Sequence, residues 1–218
     1  VERRTVGRAG HDAGPVAEAF ARAHGLPLLA EPSSNARFGP NAVGPYRVLL
    51  AHFGPDSPTP IERVVLFGRA TLSRPVAALL ARESVESAIY QPVPVAWYEA
   101  GRRRETPIET LPELAEFAGR GSADWLDSWL LAGAAAQHGL DGVLSGESLA
   151  NGPSVGATVW EHSRGQLVLG SSNGIRDVDL AGQPHTEPIA TVYANRGLAG
   201  IDGTIATATG IALGSGRE

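Results

Sequence analysis

The sequence predicts an α/β protein: a unit built on a parallel sheet, then the opening of a second α/β unit. Two patterns in the chain point to it. Short β-branched apolar runs alternate with stretches of helical period. The runs stop at glycines or serines, where a chain leaves a strand to enter a helix. The composition agrees. With 218 residues, 43% hydrophobic and 19% charged, the chain is long enough to bury a core and too apolar for wholesale disorder.

Thr5-Val6 opens as a strand and is followed by Gly7, Gly10 and Gly14. Pro15 starts a helix whose apolar positions read Val16, Ala19, Phe20 and Ala23, and Gly25 stops it as a left-handed C-terminal glycine does. Leu26 to Ala30 is a second strand. Glu62 to Gly68 is the clearest buried strand, an apolar run closed by glycine. A helix from Pro75 to Ala81 turns Val76, Leu79 and Leu80 inward, and Ser87 to Tyr90 is the next strand. Repeated strand-helix-strand units imply parallel pairing with right-handed crossovers. The charge run Gly101 to Arg104 reads as a solvated loop, with an anion patch as the alternative. Gly119 to Ser122 is the best linker.

Beyond it, Asp124 to Gln137 reads as a helix that Ser122 or Asp124 can cap. Gly152 to Ser163 is another, opened by Pro153-Ser154. Gln166 to Gly170 and Ile189 to Tyr193 are strands, and Gly203 to Leu213 is a small-residue helix.

The composition narrows the chemistry. Cys is 0, which removes disulfides, thiolate metal sites and a cysteine nucleophile. Met is 0, so the chain reads as processed, truncated or excised from something longer. Every basic residue is arginine, which removes Schiff-base chemistry and a phosphate-loop lysine. A net charge of -5 and a pI near 5.7 argue against nucleic-acid binding. No apolar run reaches the roughly 20 residues of a membrane span, and Val1-Glu2-Arg3-Arg4 has no signal-peptide core. Cytoplasm is the expected compartment.

Three loops could carry chemistry. In parallel sheets, ligands bind beyond the carboxyl ends of strands. Ser171-Ser172-Asn173-Gly174-Ile175-Arg176 lies at such an end and offers hydroxyls, backbone N–H groups and a guanidinium to a carboxylate or phosphate. The plainer reading is helix capping by Ser172 or Asn173 with Arg176 on the surface. Asn195 to Gly203 is glycine-rich but is neither a dinucleotide nor a Walker loop, and on the residues alone close strand-helix packing is the favoured explanation. Gly68 to Pro75 holds Arg69 and Arg74, which could grip a carboxylate or lie solvated. His11, His24, His52, His138, His162 and His185 are scattered without metal-ligand spacing. Ser145 lacks a nucleophile elbow. Trp97, Trp125, Trp129 and Trp160 read as core or interface anchors.

Ser171 to Asp177, followed by Ala194-Asn195-Arg196-Gly197-Leu198-Ala199-Gly200-Ile201-Asp202-Gly203-Thr204, resembles a known family. It is the 2-succinyl-5-enolpyruvyl-6-hydroxy-3-cyclohexene-1-carboxylate synthases of menaquinone biosynthesis (the MenD family), which are thiamine-diphosphate enzymes. Gly25 to Ser34 supports the likeness, and Gly39 to Arg47 resembles actinobacterial members. The resemblance covers most of the chain.

It implies a middle domain over residues 1–120 and the first part of a diphosphate-binding domain over 122–218. The glutamate that activates the cofactor would lie in a preceding domain. The Gly-Asp-Gly motif for Mg²⁺ and diphosphate would follow Glu218. The resemblance thus implies no catalytic residue and no metal ligand within the chain, a piece inactive alone, and a whole protein that is a dimer or tetramer. The implied chemistry is attack of the thiamine ylid on 2-oxoglutarate, loss of CO₂, and addition of the succinyl unit to isochorismate. Ser172 and Arg176 fall on positions that hold the 2-oxoglutarate-derived carboxylate. Arg196 falls on an arginine facing the substrates, Ile201 on the residue that wedges thiamine into its bent form, and Arg74 on an isochorismate ligand. Some members have a lysine beside that arginine where this chain has Ser73. That departure leaves the isochorismate contribution of this loop weaker, or to Arg74 alone. The rival expectation is a regulatory or structural central domain in which Arg37, Arg47, Arg69 and Arg74 bind an anion such as a naphthoate. Interdomain salt bridges are the simpler role for the same four.

Overall fold

The computed structural model describes residues 2–93, 104–146, 150–196 and 201–216. Its first sheet has five parallel strands: β1 (Thr5–Ala9), β2 (Leu28–Ala30), β3 (Arg63–Phe67), β4 (Glu86–Tyr90) and β5 (Thr106–Ile108). They run in the order β2-β1-β3-β4-β5, which puts the strongest apolar run at the centre. Such a run belongs there because a central parallel strand is covered on both faces.

The period-2 alternation sorts the side chains into two layers. Val6, Leu29, Val64, Leu66 and Ile89 point to one face. There they meet Tyr46 and Leu49 of α2 (Tyr46–Leu49), Val76 and Leu79 of α3 (Arg74–Leu80), and Trp125 and Trp129 of α5 (Ala123–Ser145). Ala9, Leu28, Ala30, Val65, Phe67 and Ala88 point to the other, against α1 (Val16–His24) and α4 (Leu111–Ala118).

Helix α1 starts after Pro15 and stops at Gly25, whose φ is 65°, as expected. Its buried face differs from the expected one. Ala17, Phe20 and Ala21 are buried, whereas Ala19 and Ala23 are exposed. Several alanines leave the stripe ambiguous, and Phe20 decides it by packing on Phe67 at 5.4 Å between ring centroids. Gly10 and Gly68 are required by close approach. A Cβ at Gly10 would run into the Arg69 carbonyl, and one at Gly68 into the His11 carbonyl. These glycines let the ends of β1 and β3 cross.

Helix α2 and two further elements have no counterpart in the sequence reading. Strand β5 is three residues long and contains Pro107, which an edge strand tolerates because one side needs no ladder donor. Helix α4 begins at Thr110, whose hydroxyl accepts from Glu113 N at 3.4 Å.

The Gly119–Ser122 stretch is tied to the first sheet. Arg3 N donates to Arg120 O at 2.9 Å and Gly121 N to His24 O at 3.0 Å. Ser122 then caps α5, as expected, accepting from Trp125 N at 3.2 Å. Helix α5 runs past Gln137 to Ser145, and Trp125 Nε1 donates to Thr5 O at 2.9 Å.

The second sheet pairs β6 (Gly165–Leu169) and β7 (Ala190–Ala194) in parallel. Helices α6 (Gly152–His162) and α7 (Asn173–Ala181) cover it through Trp160, Leu169, Ile175, Val178 and Val192. Helix α6 is started by a capping box between Asn151 and Ser154. Helix α8 (Thr204–Ser215) follows and has no buried residue. Among the described residues, no helix is long and apolar enough to cross a membrane.

Candidate functional site

Strands β6 and β7 are parallel neighbours, so their carboxyl ends open at one edge. Ser171 and Ser172 follow β6, and Asn195 and Arg196 follow β7. The Ser171 hydroxyl donates to Asn195 O, stitching the two loops together. Helix α8 begins at the same edge, with Asn195 Nδ2 donating to Thr207 Oγ1 at 3.1 Å.

Ser172 occupies the N-cap of α7 yet makes no side-chain cap bond, and its residue is exposed. The hydroxyl therefore is not spent on the capping role that was the plainer expectation. Arg176 lies one turn on, half-buried, and donates from Nη1 to Ser172 O at 2.6 Å. Arg196 donates from Nε to Thr71 Oγ1 at 3.2 Å and from Nη2 to Thr71 O at 2.6 Å. Burial pulls the Arg196 guanidinium below its ordinary value, Glu31 opposes this, and the Arg176 charge adds to it.

The structure thus brings Ser172, Arg176 and Arg196 to one edge. Ile201 lies at the α8 end of that edge, 63% exposed, its carbonyl accepting from Thr204 Oγ1 at 2.9 Å. Gly197–Gly200, the middle of the glycine-rich loop, lie outside the described residues. So do Trp97, Gly101–Arg103 of the charge run, and Glu218. Arg74 stands apart from the other three. It is exposed at the start of α3 and lines an open cleft of about 530 Å³ with Leu66, Ala70, Thr71, Ser73 and Ala77. Thr71 is common to both places, since it lines this cleft and is also the residue Arg196 holds.

Sequence reasoning missed what stands behind Arg196. The Glu31 carboxylate, fully buried, accepts from Thr71 N at 2.8 Å, Thr71 Oγ1 at 2.7 Å and Arg8 Nη2 at 2.5 Å. Glu31 follows β2 and Thr71 follows β3, so the carboxyl edge of the first sheet faces that of the second. His11, after β1, joins this edge, its Nδ1 3.1 Å from Ser33 Oγ and its Nε2 3.1 Å from Asp12 Oδ2. Burial lowers its pKa. Asp12 and Glu31 oppose that, and Arg196 and Arg69 reinforce it.

Arg37 is not part of an open anion site, and Arg47 leans toward the same buried carboxylate. Arg37 is 3% exposed and donates to the carbonyls of Ala30 (2.6 Å), Asp179 (3.2 Å) and Gly182 (2.6 Å). It lies 3.7 Å from Asp179 Oδ1, while Arg47 lies 3.9 Å from Oδ2. The Tyr46 hydroxyl donates to Asp179 Oδ1 at 2.7 Å. Burial still pushes the Asp179 carboxyl above its ordinary range, although Arg37 and the Tyr46 hydroxyl pull it down. These groups seal the seam between the two sheets, the simpler of the two roles expected of them. The regulatory alternative finds no support here, because Arg37, one of its four arginines, is buried and fully engaged and Arg47 is drawn toward the same Asp179. Asn35 adds a backbone-like clasp, giving Nδ2 to Val192 O at 3.1 Å and accepting Val192 N at 2.8 Å.

Trp125 and Trp129 are buried in the first sheet's packing, and Trp160 anchors the second, as expected of anchors. Among the described residues no group of three or more His, Asp or Glu could hold a metal ion.

Comparison with known proteins bears on this edge. No family model matches the chain. Curated relatives do, and three of the most similar carry one name. The chain is 95% identical, over all of its length, to the 2-succinyl-5-enolpyruvyl-6-hydroxy-3-cyclohexene-1-carboxylate synthase of Paenarthrobacter aurescens (strain TC1). The chain is related to this synthase family along its whole length. It is also 77% identical to the same-named synthase of Arthrobacter sp. (strain FB24) over its full length, and 59% identical to that of Renibacterium salmoninarum over 98% of its length. It spans 38%, 36% and 37% of these three synthases, somewhat over a third of each.

Proposed function

We propose that this chain supplies the carboxylate-binding wall of a thiamine-diphosphate- and Mg²⁺-dependent transferase, which decarboxylates 2-oxoglutarate and adds the succinyl unit to isochorismate. The observation that carries it is the convergence of Ser172, Arg176 and Arg196 on one strand-end edge, in a chain related throughout to the synthases of that name. When bound, thiamine diphosphate supplies the carbon nucleophile and the electron sink for decarboxylation.

The chain's own residues bind and orient. Arg176, tied back to Ser172 O, presents its remaining donors to the distal carboxylate of a dicarboxylic oxoacid. The uncommitted Ser172 hydroxyl adds a neutral donor. Arg196 faces the reacting substrates, and Arg74, on its cleft, meets a carboxylate of isochorismate. Ile201 offers an apolar face to the thiamine ring. The remaining cofactor grip lies outside this chain, the whole protein is a cytoplasmic homodimer or homotetramer, and these 218 residues alone are inactive.

The assay is full-length protein with 2-oxoglutarate, isochorismate, thiamine diphosphate and Mg²⁺. Failure to form the succinyl-cyclohexene product would overturn the reading. Within it, Arg176→Ala raises the apparent KM for 2-oxoglutarate more than that for isochorismate. Truncating one partner of such a charged pair costs about 2–5 kcal/mol. Equal effects on both substrates would remove the role given to Arg176.

A further inference from the structure

Arg196 is held along one edge of its guanidinium. Its Nε reaches Thr71 Oγ1 at 3.2 Å and its Nη2 reaches the Thr71 carbonyl at 2.6 Å, two bonds to a single residue. A guanidinium carries five N–H donors. A longer bond of 3.4 Å runs from Nη1 to Ser171 O. Among the described residues one donor on each terminal nitrogen is left over, and the Nη1–Nη2 end is the fork that pairs with a carboxylate.

The Thr71 hydroxyl can accept from Nε only if its single proton points elsewhere. Glu31 sets that direction. Its Oε2 takes the Thr71 hydroxyl proton at 2.7 Å, and its Oε1 accepts from Thr71 N at 2.8 Å and Leu72 N at 3.3 Å. An ionised carboxylate has no proton to give, so the hydroxyl has one orientation open to it. Arg8 Nη2 at 2.5 Å and the complete burial of Glu31 keep that carboxylate fixed.

We propose that Glu31 and Thr71 are positioning residues for Arg196: Glu31 orients the Thr71 hydroxyl, and Thr71 clamps the Nε–Nη2 edge so that the free end of the guanidinium presents a fork to a substrate carboxylate. The clamp is a matter of geometry, and only the identity of its ligand rests on the functional reading above. Glu31 is sealed from solvent and reaches Arg196 by hydrogen bonds only through Thr71, its charge adding a direct attraction. The clamp also crosses from the first sheet to the second, because Glu31 and Thr71 follow β2 and β3 while Arg196 follows β7.

Thr71→Val in the full-length protein keeps the shape and removes the hydroxyl. A crystal structure of this variant is expected to show the Arg196 guanidinium turned away from residue 71. With thiamine diphosphate and Mg²⁺, kcat/KM for product formation is expected to fall by about tenfold to a hundredfold, the usual cost of a misplaced group. Thr71→Ser returns the hydroxyl and is expected to restore both position and rate to within about twofold. Glu31→Gln lets an amide N–H donate to Thr71 Oγ1, which turns the hydroxyl proton toward Nε and displaces Arg196 in the same way. If that variant fails to fold because Arg8 has lost its partner, the Val/Ser pair at position 71 carries the test. An unmoved Arg196 in Thr71→Val, or a Thr71→Ser variant as impaired as Thr71→Val, overturns the proposal. A wild type that makes no product, with Arg196 still displaced in Thr71→Val, overturns the functional reading and leaves the clamp standing.

Discussion

The two sheets differ in how much of their apolar surface is covered. Helices lie on both faces of the five-stranded sheet, and its packing includes the largest fully buried side chains, Trp129, Arg8, Tyr46, Phe53 and Phe67 among them. The two-stranded sheet rests on a cluster of five buried residues. Beside it, α8 leaves Ile205 84% and Leu213 79% exposed. Yet Ser172, Arg176 and Arg196, the residues best suited to a ligand, stand on the lightly packed side. Burial of apolar area gives the first region its stability. The second region takes its order from charges the first one has buried: Arg37 holding Gly182 and Asp179, and Glu31 holding Arg196 through Thr71.

The largest expected effect tests the first half of that contrast. Trp129 is fully buried, stacked on Phe53 at 4.0 Å and edge-on to Trp125 at 5.8 Å. Trp129→Ala is expected to cost about 3–5 kcal/mol in denaturant unfolding, through lost contacts and a residual cavity. Trp160→Ala, in the smaller cluster, belongs near the bottom of that range. Equal losses would erase the distinction between the two cores.

Arg37→Met tests the other half. It replaces a buried cation with an apolar chain of similar length and leaves Asp179 without its main counter-charge. Breaking a buried pair costs about 3 kcal/mol or somewhat more. The loss should be local. Hydrogen exchange is expected to accelerate in α7, β6 and β7 while β1 to β4 keep their protection. Uniform acceleration would show that the seam supports both regions alike.

What was legible in the sequence follows the same divide. Strand β3 and the stop of α1 at Gly25 could be read because each is written in consecutive residues. The alternation of strands and helices gave the parallel sheet. Strand β5 was illegible because Pro107 argues against a strand, and only its place at the sheet edge makes it acceptable. The buried face of α1 was misread because alanines at 17, 19, 21 and 23 weigh equally until Phe20 meets Phe67. Ser172, Arg176 and Arg196 were found through their setting after strands and through the family resemblance. Glu31 and Thr71 were not, because a carboxylate serving a loop 40 positions away leaves no local pattern. Arg37 was counted among possible anion ligands because nothing in its neighbours announces that it is buried.

The smallest effect is a pH dependence that both regions share. Burial lowers the pKa of His11, His24 and His185, in each case as the largest cause. Around His11, Arg196 and Arg69 add to the lowering while Asp12 and Glu31 oppose it. Beside His24, Arg120 adds to it. Around His185, Arg164 and Arg37 add to it, and Glu161 and a Trp160 backbone bond oppose it. In the unfolded chain these imidazoles titrate near about 6.5. The folded state therefore binds their protons less readily than the unfolded state does. Their stabilisation is complete above that pH and is lost as pH falls through the lowered folded values. Asp179 has the opposite sign, because burial raises its pKa; its share is present below its unfolded value of about 3.9 and is lost as pH rises through the raised one. Between pH 8 and 7 the urea midpoint should hold level, and from about pH 6.5 downward it should fall. His185→Gln should flatten that fall. A midpoint that rises on acidification would show that Asp179 outweighs the three imidazoles, and that the seam between the sheets is held more tightly with its carboxyl neutral.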